Sequence, residues 1–379
     1  MVSCKGDVMS RTGKIGILTG GGDCPGLNAV IRAVAKSAFN LGWEVLGIHN
    51  GFEGFLRTRL VRKLKPENVR GILNMGGTIL GANSRVNPFE VVSGKGTSMT
   101  VEDRSDEAMA NFKRLGLNAV IVIGGDGTLR IAQRFHEKGM PLIGVPKTID
   151  NDLWATVMTF GYDTAVSTAT DAIDKLHPTA ESHRRAMVVE VMGRYAGWIA
   201  LNSGVAGGAD VILIPEIPFD IDVVCQKVKS RDREGAGFSI IVVAEGAKPS
   251  GGEMLTKGAK EPGREARLGG IGEWVAEEIN ARTGKETRAL VLGHLQRGGH
   301  PTTFDRLLGT RFGAAAIRLI QNRKFGQMVC LIPPEIKSVP IKEAVSKMKS
   351  VPVDSDVIAA ARALGICFGD STKNKECIS

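Results

Sequence analysis

Short apolar runs, several of them closing on glycine, alternate with segments of helical spacing along nearly all of this 379-residue chain. KIGILTG (14–20) is followed by GLNAVIRAVAKSAFNLG from Gly26 to Gly42, then by WEVLGIH, DEAMANFKRLG, LNAVIVIG, TLRIAQRFHEKG and MPLIGVP. The runs are apolar throughout instead of at every second residue, which is the mark of strands covered on both faces. A parallel sheet between two helical layers follows. After residue 160 the alternation resumes with AVSTATDAIDKL, AMVVEVMG, AGWIALNSGVAGG, DVILIPE, SIIVVAEG, WVAEEINARTG and TRALVLGHL. The expected fold is therefore α/β, with two doubly wound, mainly parallel, Rossmann-like domains.

Composition narrows the partners. Lys and Arg number 49 against 40 Asp and Glu, a net charge of +9, so anionic ligands are expected. The basic residues are dispersed and aromatics make up only 5%, which argues against a stacking platform for nucleic acid. Small phosphorylated ligands fit better. Cys4, Cys24, Cys225, Cys330, Cys367 and Cys377 lie far apart without a CxxC pair, and no signal peptide precedes them. Reduced thiols in a cytoplasmic protein are the expectation. No apolar stretch approaches the roughly 18 residues of a membrane span, so no membrane partner is expected. The stretch 246–272, rich in glycine and charge, reads as a mobile surface loop.

Ligands of parallel α/β sheets bind beyond the carboxyl ends of the strands, where helix N-termini present unpaired N–H groups. Three loops stand at such ends: TGGGDCPG (19–26), IGGDGT (123–128) and PKTIDND (146–152). The first brings backbone at Gly20, Gly21 and Gly22 close to an anion, though it matches neither GxGxxG nor GxxxxGK[ST]. The second sets Asp126 among Gly124, Gly125, Gly127 and Thr128. A carboxylate there suits Mg2+, which takes one or two carboxylates plus substrate phosphate oxygens. A turn with a capping Asp is the plainer reading, and GGDGT recurs in lipid and dinucleotide kinases of another fold, so the acceptor stays open. In the third loop Asp150 and Asp152 can divide two duties, one removing a hydroxyl proton and one orienting cation or water, while Thr148 donates to a moving phosphoryl group. An Asx-turn cluster is the alternative. Downstream, EVMGRYAG and GHLQRGGHP add Arg194, His294 and Arg297. Arg185, in SHRRAMVVEV, and Arg288, in GKETRALVL, are read as preceding strands, and Glu245 closes SIIVVAE. Arginine forks suit phosphate and a carboxylate suits sugar hydroxyls.

TGGGDCPGLNAVIR, GGTILGANSR, IGGDGT, PKTIDND, VEVMGRYAG, VLGHLQRGGHP and FDR occur in an order that resembles the 6-phosphofructokinase family, across about residues 14 to 318. The ending VPVDSDVIAAARALGICFGD is similar to the bacterial branch often grouped with pyrophosphate-using enzymes. The resemblance implies phosphoryl transfer to the 1-hydroxyl of fructose 6-phosphate, giving fructose 1,6-bisphosphate in glycolysis. It implies Asp150 as the base, Thr148 and Arg194 beside the transferring group with Asp152 and Lys147, and Asp126 on Mg2+. Gly21, Arg85 and Gly124 to Thr128 would cradle ATP. Thr148, Ile149, Asp150, Met192, Gly193, Arg194, Glu245, His294, Leu295 and Gln296 would line the sugar phosphate, with Arg185, Arg288 and Arg297 gripping phosphate. In the family Arg185 and Arg288 reach in from a neighbouring subunit, so a homotetramer or homodimer is implied. A donor domain over 10–160 with about 296–346, and a sugar domain over 161–295 with about 347–379, follow the family pattern.

Two positions bear on the donor. Pyrophosphate-using members carry an aspartate where this chain has Gly127, and its carboxylate takes the space and charge of a nucleotide α-phosphate. Lys147 is the residue typical of pyrophosphate users, where ATP enzymes usually have glycine. A like-charge clash is the harder constraint, so ATP is expected and pyrophosphate is the alternative. Ile131 replaces a glycine common near the adenosine, and His177 replaces an effector arginine although Arg32 and Lys36 keep positive charge on the first helix. Weak effector control is expected. A non-catalytic sensor would have a broken base or metal loop, and neither is broken here. A kinase for another sugar phosphate, such as sedoheptulose 7-phosphate, stays open.

Overall fold

The computed structural model describes residues 13–93, 100–256 and 268–370. Cys4, Cys377, the start of the expected donor domain, the tail beyond 370 and the middle of the 246–272 stretch lie outside them. In chain order the elements run β1 (Lys14–Thr19), α1 (Leu27–Asn40), β2 (Glu44–Ile48), α2 (Glu53–Leu56), β3 (Val61–Leu64), β4 (Val91–Ser93), β5 (Thr100–Glu102), α3 (Ser105–Arg114), β6 (Ala119–Gly124), α4 (Asp126–Glu137) and β7 (Leu142–Pro146). Then come α5 (Tyr162–His183), β8 (Ala186–Val191), α6 (Trp198–Ala206), β9 (Val211–Leu213), α7 (Ile221–Arg233), β10 (Ser239–Ala244), α8 (Ile271–Thr283) and β11 (Thr287–Val291). The chain continues with α9 (Thr303–Gln321), β12 (Gln327–Ile332), β13 (Glu335–Pro340), α10 (Ile341–Ala344) and α11 (Asp356–Ala363).

Two compact units result. The first takes the described residues within Met1–Ile149, Leu153–Asp163 and Arg297–Met348. Its sheet has the order β13-β12-β7-β6-β1-β2-β3. The inner strands are parallel, and antiparallel β3 and β13 close the two edges. Every residue of AVIVIG in β6 and LIGVP in β7 is buried. Each such Val or Ile stabilises the unit by roughly 1.5–3 kcal/mol relative to exposure. On one face α9 lies close on α1: a Cβ at Gly313 would stand 2.8 Å from Ala33 Cβ and 2.8 Å from the Val30 carbonyl oxygen. Only glycine lets the two helices approach so far.

The second unit takes Asp150–Asp152, Thr164–Gln296 and the described part of Lys349–Ser379. Its sheet is parallel throughout, in the order β11-β8-β10-β9. Core residues from α7, α8, β8, β9 and β10 form one apolar cluster that also takes in Cys367. The described part of the 246–272 stretch is tied down at its base by bridges between Phe219 and Pro249 and between Thr256 and Leu268. Cys24, Cys225, Cys330 and Cys367 are buried free thiols.

Candidate active site

In the first unit the sheet order reverses between β1 and β6, and the carboxyl ends of β1, β6 and β7 open there into a cleft of about 610 Å³. Its lining includes Gly20 to Asp23, Asn83, Ser84, Gly125 to Arg130 except Leu129, Ile131, Lys147 to Ile149 and Arg297. Gly21, Gly125, Asp126, Gly127, Thr128, Lys147, Thr148, Ile149 and Arg297 therefore meet in one place, as a switch point in a parallel sheet dictates.

The cleft is built on a tight packing of small residues. Thr128, nearly buried in the first turn of α4, fills the space a side chain would need at Gly124, whose added Cβ would stand 2.3 Å from Thr128 Cβ. With α4 thereby seated against the end of β6, its N-terminal N–H groups face the cleft. Beside Gly127 there is open space: a Cβ built there meets nothing within 4 Å. Asp126 reaches back along α4 to Arg130, whose Nε donates to Oδ2 at 2.7 Å.

Two cations form the opposite wall. Lys147, buried, donates from Nζ to the Gly22 carbonyl oxygen. Arg297 presses on the same loop, with Nη1 2.1 Å from where a Gly22 Cβ would stand, and its buried Nε has no hydrogen-bond partner among the described residues. The resemblance groups Arg297 with the sugar phosphate; its guanidinium lines the cleft of the first unit. Burial pushes the Cys24 thiol far up, against the opposing pull of Lys147, so the cysteine of TGGGDCPG is an inert packing group. Arg85 is exposed and outside the lining, its backbone N–H donating to Asn83 Oδ1 at 2.8 Å. Asn83, Ser84 and Arg130 belong to the cleft and were not singled out by sequence.

The second unit groups a further set of residues at its own strand ends. The register pairs Val191 with Ala244 and Val291 with Glu190, so the loops after β8, β10 and β11 lie side by side. They carry Met192, Gly193 and Arg194; Glu245; and His294, Leu295 and Gln296. The Gly246 N–H donates to the Gly193 carbonyl at 3.1 Å, and a Cβ at Gly246 would stand 1.9 Å from the Arg194 carbonyl oxygen. Buried Gln296 accepts from the Met192 N–H at 3.3 Å. Arg185 and Arg288 are not in this group. They sit at the entry ends of β8 and β11 and share Glu286, each at 2.8 Å. At about 3.3 Å per residue the strand holds Arg185 about 23 Å from Met192. The two arginines hold the Glu286 carboxyl below its ordinary range.

Asp150, Asn151 and Asp152 join this unit through Lys349. The Lys349 N–H donates to the Asp152 carbonyl at 2.8 Å and its Nζ to Asn151 Oδ1 at 2.8 Å. Nothing in the sequence near either segment signals the pairing. His177 lies against the Gly207 carbonyl, 2.7 Å from Nε2, and edge-on to Phe238.

Residues 14–320 match the family model for phosphofructokinase. The chain belongs to the phosphofructokinase family. It is 54% identical to the ATP-dependent 6-phosphofructokinase of Chloroflexus aurantiacus, over 95% of this chain and 99% of that one. It is 53% identical to the pyrophosphate–fructose 6-phosphate 1-phosphotransferase of Amycolatopsis mediterranei, over 90% and 97%. Among solved structures it resembles the T-state phosphofructokinase of Pichia pastoris, with a TM-score of 0.77 and 32% identity over 88% of this chain. This chain spans about a third of the Pichia chain's length, 35%. The α/β architecture is thus the phosphofructokinase fold. Among the described residues no helix is long and apolar enough to cross a membrane.

Proposed function

We propose that this phosphofructokinase transfers the terminal phosphoryl group of ATP to the 1-hydroxyl of fructose 6-phosphate. The observation that carries the choice of donor is the open space beside Gly127. A nucleotide's α-phosphate needs room and no facing carboxylate, and residue 127 supplies both. Several relatives at 48–54% identity bear the name ATP-dependent 6-phosphofructokinase, in keeping with this donor.

In this reading the loops of the first unit bind the donor. N–H groups at the start of α4 and the backbone of Gly20 to Gly22 face its phosphates, and Lys147 and Arg297 neutralise charge that develops on them. Asp150 takes the proton of the sugar hydroxyl, with Thr148 and Arg194 donating to the group in flight. Met192, Glu245, His294 and Gln296 hold the sugar. Mg2+ fits Asp126, a partly exposed carboxylate in the lining of the cleft. A single hard carboxylate completed by phosphate oxygens is the donor set the ion prefers. When bound, Mg2+ neutralises donor phosphate charge. Arg185 and Arg288 serve the site of a second copy. In support, Leu290 and Val291 on edge strand β11, beside Arg288, and Leu295 in the turn that follows are exposed.

Pyrophosphate is the second reading, favoured by Lys147 and by the Amycolatopsis relative. Initial rates with ATP and with pyrophosphate, both on fructose 6-phosphate, separate the two. Saturation by ATP with at least tenfold higher kcat/KM is expected, and a preference for pyrophosphate overturns the ATP reading. Asp150→Asn, expected to lower kcat by at least a hundredfold, tests the base.

A further inference from the structure

The geometry points to Lys349 as a positioning residue that fixes the direction of Asp150, a role resting on Asp150 being the base. Asn151, between the two aspartates, has φ 51°, in the left-handed region that few non-glycine residues enter and Asn enters most readily. That turn sets the path of the backbone as it leaves Asp150. Asn151 is buried, and its side-chain oxygen accepts from Lys349 Nζ at 2.8 Å. The next peptide is gripped as well, because the Asp152 carbonyl accepts the Lys349 N–H at 2.8 Å. One residue therefore holds the two loop residues that directly follow Asp150.

Lys349 is itself held. Its carbonyl oxygen accepts from Trp198 Nε1 at 3.0 Å, and its ammonium lies 5.6 Å from the Trp198 ring. Two residues on, the Val351 N–H donates to Glu216 Oε1 at 2.8 Å, and both oxygens of that carboxylate accept from the Gly197 N–H at 3.1 Å. The restraint thus starts at the N-terminus of α6, which follows the VMGRYAG motif, and ends at the turn between the aspartates. Burial pushes the Lys349 ammonium down to about 7, against the attraction of Asp152. Keeping an amine there costs stability that an apolar side chain of the same length would not cost. A neutral amine still donates to Asn151, so the grip survives deprotonation.

The test is steady-state kinetics of Lys349→Met, Asn151→Gly and the double variant, with Asp150→Asn alongside. Glycine at 151 keeps the left-handed turn and removes the acceptor. Lys349→Met is expected to lower kcat roughly tenfold to a hundredfold, the scale of a misplacement near 1 Å. KM for either substrate should change less than threefold and the melting point should not fall. The double variant should lose no more than the worse single one. Wild-type kcat in Lys349→Met, losses that multiply in the double variant, or a kcat loss matched by a lower melting point overturns the inference. Full activity in Asp150→Asn instead overturns the assignment of the base.

Discussion

Arg130 holds Asp126 across one turn of α4, Nε to Oδ2 at 2.7 Å, where both line the cleft of the first unit. A cation that binds Asp126 must compete with this guanidinium. Both side chains are substantially exposed, so the pair is worth roughly 0.2–1 kcal/mol. Arg130→Met is therefore expected to lower the half-saturating Mg2+ concentration, at fixed ATP, by up to about fivefold. An unchanged or higher value in a Mg2+ titration of the rate contradicts competition.

Gly127→Asp separates donor choice from folding. The new Cβ meets no neighbour, and an acidic residue in the first turn of a helix is favourable, as is any replacement of glycine there. The variant should melt at or above the parent's temperature while kcat/KM for ATP falls by at least a hundredfold. Equal ATP efficiency in the two proteins would mean that residue 127 does not face the α-phosphate.

Gly246 sets the position of Arg194. A methyl group at 246 lands 1.9 Å from the Arg194 carbonyl oxygen, so the loop after β8 has to lift off the end of β10. Gly246→Ala should destabilise the protein by roughly 1–3 kcal/mol, the usual cost of overpacking. Its kcat should drop at least tenfold, even at temperatures where urea titration shows it fully folded. Parental kcat in the folded variant would show that Arg194 acts without this support.

Lys349 gives stability a defined pH dependence. Folding lowers its proton affinity from the ordinary 10.5 to about 7. Between those values the unfolded chain carries the proton and the folded chain does not, so unfolding free energy rises with pH across the window. Below about 7 both states are protonated and the full burial cost is present. Asp152 on the loop and Trp198 on α6 are the neighbours that moderate it. Urea titrations at pH 7, 8 and 9 should find Lys349→Met more stable than the parent at pH 7, by a margin that narrows by up to about 1.4 kcal/mol per pH unit. A constant margin would mean that Lys349 keeps its ordinary affinity.

The strands buried on both faces were legible because burial on two sides leaves nothing but apolar side chains to read: β6 and β7 show this at every residue. The two edge strands of the first sheet escaped. VRKL in β3 and EIKSVP in β13 face solvent in part and look like connecting segments. The glycine-rich loops that line the cleft were legible for a different reason, since closely packed backbone demands glycine and leaves a local signature. Lys349 left none: its partner Asn151 is 198 positions away, and only folding brings the two together. Arg297 was visible as a cation in GHLQRGGHP, but not which wall it joins, because the chain changes units between Gln296 and Arg297.

The glycine and alanine contact between α1 and α9 has a consequence for biosynthesis. The first helix meets its closest partner only after some 260 further residues have been translated, and β7 likewise waits for β12. Thr164–Gln296, uninterrupted in the chain, is translated in full before α9 begins at Thr303. The nascent amino-terminal layer thus leaves the exit tunnel with an apolar flank still uncovered, and that interval is when chaperones and proteases have the most to recognise.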